Sequence, residues 1–307
     1  MNESVPTLAW LEATARERVA GLTDRGSFVE YLGPEQREVS PHLALFGLAH
    51  AFDDGMIVGH ATLDGKPVWI AAQEGRFMGG TFGEVGGAKL VGLLRAARAL
   101  AAREQPRCVL LLLDSGGVRL QEANAGELAV SEVIRALLQA RRAGVRVVAL
   151  IGGKAGAFGG AGLVAACCSD IVISEPGRIG VSGPEVIEAN EGLEEFDAKD
   201  RALVWRITGG RTRVLMGGAD RYARDDIDDF RRRASACLHA PAPFDLPLLQ
   251  AEQQRLQSRL ARFGDCRDAP EIWRKQGLDT PDTVPDHGDA AFLDLVRRSL
   301  GEKHVAR

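Results

Sequence analysis

Cys108-Val109-Leu110-Leu111-Leu112-Leu113-Asp114-Ser115-Gly116-Gly117-Val118-Arg119-Leu120-Gln121-Glu122 is the stretch on which the fold of this chain turns. A second stretch has the same design: Val145-Arg146-Val147-Val148-Ala149-Leu150-Ile151-Gly152-Gly153-Lys154-Ala155-Gly156-Ala157-Phe158-Gly159-Gly160-Ala161-Gly162. Each opens on an apolar run too short for a solvent-facing amphipathic helix and unbroken by polar alternation. That is the pattern of a strand covered on both faces. Glycines follow, which let the backbone turn sharply and leave its N–H groups uncovered, and a helical pattern comes next. Two such turns side by side could aim two backbone donors at one oxygen, an oxyanion hole in outline.

Working outward, a helix is expected over 7–26, with Trp10, Leu11, Thr14, Val19 and Leu22 near one face. Met56–Leu63 and Lys66–Ala72 flank Asp64-Gly65, a strong hairpin signal. Phe77-Met78-Gly79-Gly80-Thr81-Phe82-Gly83 is a third glycine-rich turn, leading into a helix over about 84–103. Further helices are expected over about 122–143 and, built of small residues that allow close packing, over 160–168. Asp170–Ser174 reads as another short strand, and from about Lys199 the pattern is helical with polar loops. Ala240-Pro241-Ala242-Pro243 marks a linker, followed by a polar-faced helix over 248–263 and one more short helix. The expectation is an α/β domain over 1–240 and a C-terminal helical extension over 241–307, with function at the strand ends.

Composition sets the outer bounds. The 307 residues are 45% hydrophobic and 26% charged, with ample material for a core. A net charge of -4 gives no reason to expect nucleic acid as partner, and Arg231-Arg232-Arg233, with acids before it, reads as a solvated helix face. Cys108, Cys167, Cys168, Cys237 and Cys266 form no C-x-x-C pair, so no zinc ribbon and no metal are expected. Met1–Trp10 lacks a basic region followed by an apolar one, and no apolar run approaches the ~18 residues of a membrane span. A cytoplasmic protein without membrane contact is the expectation.

At Asp114–Glu122 the sequence resembles the D-S-G-G-A-R-x-Q-E segment of the carboxyltransferase branch of the ClpP/crotonase superfamily. Asp24-Arg25-Gly26-Ser27-Phe28-Val29-Glu30, the Gly79–Glu84 turn and the Gly156–Gly160 turn fit the same branch, in the right order over roughly residues 10–235. Within it, Gly183–Glu188 and Gly192–Arg206 are most similar to the beta subunits of biotin-independent malonate decarboxylases. The chain also resembles bacterial acetyl-CoA carboxylase beta subunits, which usually carry an N-terminal zinc ribbon that is absent here. The resemblance implies a crotonase-like spiral of ββα units.

It implies chemistry as well. A malonyl thioester loses carbon dioxide to leave an enolate, and most of the barrier is the charge arriving on the thioester oxygen. The first oxyanion donor is expected at the N–H of Gly117 or Val118 and the second at Gly160 or Ala161, helped by the helix beginning near Gly160. Gly79, Gly80, Gly116 and Gly159 are the expected substrate-side turn residues, Gly79-Gly80 being equally readable as a plain turn. Arg119 offers either a contact to a substrate phosphate or carboxylate or, the favoured reading, a structural ion pair. Glu122 reads as a helix N-terminal acid.

Crotonases that hydrate double bonds use paired carboxylates, one just after the second glycine pair. Ala161-Gly162-Leu163-Val164-Ala165-Ala166 holds none, which disfavours hydration. No Ser-His-Asp set stands out either, since His42, His50, His60, His239, His287 and His304 lie outside the turns. The family's working unit is two crotonase-type halves, and this chain is long enough for one. The expected partners are therefore a homologous gamma-type subunit and an acyl-carrier subunit, whose CoA-like phosphopantetheine arm brings the malonyl group. No permanently bound cofactor is expected. The enzymatic alternative is the carboxyltransferase beta subunit of a biotin-dependent acyl-CoA carboxylase, and a non-catalytic scaffold that docks an acyl carrier is the alternative from another class.

Overall fold

Seven strands lie side by side in the order in which the chain makes them: β1 (Val29–Tyr31), β2 (Met56–Leu63), β3 (Lys66–Gln73), β4 (Cys108–Leu113), β5 (Arg146–Ile151), β6 (Asp170–Ile173) and β7 (Arg221–Tyr222). The computed structural model describes residues 8–36, 40–47, 55–101, 107–238 and 243–300. β1 to β3 run antiparallel, and β3 to β7 are parallel. The β2–β3 hairpin turns at Asp64 and Gly65, both with positive φ (51° and 72°). β4 and β5 are buried at every position, as their unbroken apolar runs require.

The helices are α1 (Ala15–Leu22), α2 (Glu84–Leu100), α3 (Ala125–Arg142), α4 (Gly160–Ala166), α5 (Pro184–Glu191) and α6 (Arg201–Thr208). They continue as α7 (Gly210–Leu215), α8 (Ile227–Leu238), α9 (Leu246–Phe263), α10 (Ala269–Lys275) and α11 (Asp289–Leu300). One sheet face, with Val109, Leu111, Leu113, Val147, Ala149 and Ile151, packs under Leu90 and Leu94 of α2 and Val133 and Leu137 of α3. The other, with Leu110, Leu112, Val148 and Leu150, is covered by Val19 and Leu22 of α1 and Phe230 and Ala234 of α8. This alternation along β4 and β5 follows from the period of two in a strand.

Past the strand ends a second, minimal layer is made of single bridges: Phe82 pairs with Val118, and Ser115 and Ile179 pair with Ala157. Strand, bridge segment and helix therefore repeat through β3–α2, β4–α3 and β5–α4, the expected ββα spiral.

Several expectations are corrected. The first helix covers Ala15–Leu22, not 7–26, because Thr14 and Glu17 close a reciprocal capping box that fixes its start. The edge strands β1 and β7, three and two residues long, carry too little pattern to be read from sequence. Two α-helices follow α9 rather than one, and Trp273, Phe292 and Val296 from them join the same core as β4 and β5. The expected boundary at 240 lies outside the described residues, as do His50, His239 and His304. Arg231–Arg233 is not simply a solvated face. Arg231 bridges Asp24 and Asp64, each at 2.7 Å, and Arg233 is buried against Asp229, leaving Arg232 exposed.

Candidate active site at the glycine turns

β4 and β5 end side by side, so their glycine turns meet. The Ser115 N–H donates to Gly156 O at 2.6 Å, and the Phe158 N–H donates back to Ser115 O at 3.0 Å. A Cβ added at Gly159 would lie 3.5 Å from the Gly117 Cα. Gly117 sits at φ +133°, a conformation in which any side chain is strained.

The hydrogen bonding of the turns separates the backbone donors. The Gly116 N–H donates to Gly79 O at 2.9 Å, and the Gly117 N–H donates to Ser115 Oγ at 3.2 Å. The Ala161 N–H donates to Phe158 O at 3.0 Å. Val118 and Gly160 differ: among the described residues, neither N–H has an acceptor in the protein. Gly160 is the first residue of α4, where the backbone N–H has no intrahelical partner. Its Cα is pressed against α3, since an added Cβ would lie 2.5 Å from a Val130 methyl. Gly159 precedes it as the N-cap, and both are half-buried.

Gly79 and Gly80 support the first turn from below. Gly79 accepts from Gly116 as above, while Gly80 packs so tightly that an added Cβ would lie 1.7 Å from Asp114 O. Gly80 O accepts from Gln73 Nε2 at 3.0 Å.

Arg119 does not face solvent. It is 1% exposed, its Nη1 lies 2.9 Å from Glu122 Oε1, its Nη2 donates to Thr81 O, and its guanidinium lies over the Phe77 ring. Of the two readings offered for Arg119, this geometry fits the favoured one, a structural ion pair, and the pair ties the first turn to the third. Glu122 is an N-terminal acid for a different helix than expected: its Oε2 accepts from the N–H of Glu84, the first residue of α2. Burial pushes the Glu122 carboxyl up, but hydrogen bonds from Ser40, the Glu84 N–H and Arg119 outweigh it and leave the group below its ordinary value.

Sequence reading missed the residue that holds the two turns in register. Asp114 is 4% exposed, accepts from the Ala155 N–H at 2.7 Å and pairs with Arg18 Nη1 at 2.8 Å. An Asp ending an all-apolar strand was the available signal, because a buried carboxylate needs a partner.

The turns open onto an apolar surface. Leu120 beside the first turn (75% exposed), Leu128 on α3 (65%), Leu163 on α4 (45%) and Val181 after the Ile179 bridge (68%) are uncovered. Among the described residues no cluster of three or more His, Cys, Asp or Glu could hold a metal ion, and no helix is long and apolar enough to cross a membrane.

Residues 12–242 match the family model described as the carboxyl transferase domain. The malonyl-S-ACP:biotin-protein carboxyltransferase of Malonomonas rubra is 39% identical over 307 residues, covering 94% of this chain and 96% of that protein. The acetyl-coenzyme A carboxylase carboxyl transferase subunit beta of Desulfitobacterium hafniense is 30% identical over 232 residues, covering 69% of this chain and 72% of its own. A chain of the Pseudomonas malonate decarboxylase hetero-tetramer, solved in complex with malonate, superposes with a TM-score of 0.80 at 39% identity, over 88% of this chain and 98% of that one.

Proposed function

The chain belongs to the carboxyl transferase domain family, and from that premise we propose that it is the beta-type half of a malonate decarboxylase, acting on a malonyl thioester. The observation that carries the reading is the pair of unpartnered N–H groups at Val118 and Gly160, on adjacent turns at the ends of two buried strands. When the bond from the α-carbon to the carboxylate breaks, its electron pair moves into the carbon–carbon bond of the enolate and charge collects on the thioester oxygen. Two fixed donors stabilise that charge where it develops. Losing one such donor typically costs ~3–4 kcal/mol. The enolate carbon then takes a proton to give the acetyl thioester. The Asp114 and Arg119–Glu122 contacts hold the donors still, which is what preorganisation requires.

The site is open on the side of Leu120, Leu128, Leu163 and Val181, so a second subunit completes it. The matched Pseudomonas structure is a hetero-tetramer, and a homologous gamma-type subunit is the partner that fits here. The Malonomonas relative's substrate, a malonyl group on an acyl carrier, fits the same site: the pantetheine-type arm brings the thioester between the halves.

That relative also supports a second reading, because it is a biotin-protein carboxyltransferase. The enolate step is then the same, and the carboxyl group passes to biotin instead of leaving as carbon dioxide. Carbon dioxide release from malonyl-CoA separates the two, measured for the chain alone and co-expressed with its gamma-type partner, with and without avidin. Release only with the partner and unaffected by avidin is the expected result. Release abolished by avidin makes the chain a carboxyltransferase, and release by the chain alone overturns the two-half reading.

A further inference from the structure

A cavity of about 600 Å³ adjoins the second glycine turn, and its walls oppose the charge of the rest of the chain. The protein carries a net charge of -4, yet Lys154, Arg178, Lys199 and Arg201 all line this cavity against one carboxylate, Glu12. Lys154 belongs to the turn itself and pairs with Glu12 at 2.7 Å. Arg178 is held in place: it donates to Lys154 O and lies between the Phe158 and Trp205 rings, 5.6 and 5.7 Å from their centroids. Its Nε is buried with no acceptor. Lys199 and Arg201 are exposed, and among the described residues their side chains have no hydrogen bond or ion pair. The nearest acids in the sequence are turned to the backbone instead: Asp197 accepts from the Lys199 N–H and Asp200 from the Leu203 N–H. Burial, and after it the Arg201 charge, push Arg178 below its ordinary value, against the opposing pull of Asp114 and Glu185.

Like charges gathered on one wall repel, and an anion held between them offsets that cost. A fixed guanidinium with two adjustable cations suits the several oxygens of a phosphate ester. We propose that this cavity, formed by Lys154, Arg178, Lys199 and Arg201 beside Trp205, is an anion site for the phosphate ester of the pantetheine-type arm that carries the malonyl thioester. The inference rests on the function proposed above for its substrate and extends it to residues that no part of that reading uses. The Ala157 N–H donates to Arg178 O at 2.8 Å, so an arm anchored here is registered against the turn that presents Gly160.

The test uses the co-expressed assembly and the double substitution Lys199→Ala, Arg201→Ala, at two exposed side chains whose removal breaks no hydrogen bond or ion pair among the described residues. The turnover substrates are malonyl-CoA, malonyl-phosphopantetheine and the phosphate-free malonyl-N-acetylcysteamine. The kcat/KM ratio of each phosphate-bearing substrate to the phosphate-free one should fall roughly tenfold, through KM, with kcat held. A fall with malonyl-CoA alone assigns the site to the nucleotide phosphates and overturns the arm assignment. An unchanged ratio overturns the site.

Calorimetric binding of phosphopantetheine, with no turnover needed, keeps this inference separate from the proposed function. Weakened binding in an assembly that decarboxylates nothing would leave the anion site standing and remove the activity. Equal binding by wild type and variant would remove the site whatever the turnover.

Discussion

The guanidinium of Arg18, on the first helix, lies 2.8 Å from the carboxylate of Asp114, at the end of the central strand, with both side chains buried. The other Asp114 oxygen takes the Ala155 N–H, so one carboxylate joins the N-terminal helix to both glycine turns. The fit is close: a Cβ at Gly153 would lie 2.0 Å from the Asp114 carboxyl. Arg18 is itself anchored, its Nε donating to Trp10 O. Removing one member of a buried pair strands the other's charge, at about 3–5 kcal/mol. Arg18→Met and Asp114→Ala should each lower the unfolding free energy by about that much in urea titrations, and the double variant should lose less than their sum. Full additivity would show that the two charges do not depend on each other.

How far the site could be read from sequence follows from what each signal encodes. The runs 108–113 and 145–151 announce doubly covered strands because burial on both faces leaves no room for alternation. The glycine pairs announce the turns for steric reasons. Which of Val118 and Gly117, or of Gly160 and Ala161, keeps an N–H without an acceptor was not legible, because it depends on partners met across space: Ser115 Oγ for Gly117 and Phe158 O for Ala161. The roles of Arg18 and Glu122 were hidden for the same reason, their partners being 96 and 38 residues away.

Glu175 gives a pH dependence with a definite sign. It follows β6, accepts from the Arg211 N–H at 2.8 Å and shares the Arg211 guanidinium with Asp289 of α11. Burial raises its carboxyl to about 7, more than the Arg211 contacts lower it. The folded state thus holds this proton more tightly than the unfolded chain. The stabilisation is full below the ordinary carboxylate range and is lost as pH rises through about 7. Between about pH 5 and about pH 8 the wild type should lose up to about 3 kcal/mol relative to Glu175→Gln, which keeps an acceptor but cannot ionise. Parallel unfolding curves for the two proteins across that range would contradict the assignment.

The uncovered apolar face makes a prediction about assembly. Leu120 and Leu128 are 75% and 65% exposed beside the first turn and on α3, so an acid there costs the isolated chain little. At a desolvated contact, an unpaired carboxylate is expensive. Leu120→Asp and Leu128→Asp should each leave the melting temperature of the single chain nearly unchanged and weaken co-elution with the gamma-type partner. Assembly of both variants at wild-type strength would place the partner on another face.

Gly160 permits a test of a single backbone donor. It opens α4, the position where proline is best tolerated because that N–H has no intrahelical acceptor. The obstacle is Val130, whose methyl group would lie 2.5 Å from any Cβ at this position. A Val130→Ala background removes it. In that background Gly160→Ala supplies a Cβ and keeps the N–H, whereas Gly160→Pro keeps helical geometry and deletes it. Turnover with the partner should survive the alanine change and fall about a hundred- to a thousandfold with proline, chiefly in kcat, because the bond is made to charge that exists only as the enolate forms. Gly117 offers no such test of the first turn, since its N–H already donates to Ser115 Oγ and its φ of +133° is closed to proline. Equal losses in the alanine and proline variants would mean that bulk at Gly160, and not its N–H, matters. Equal retention would move the second donor elsewhere in the turn.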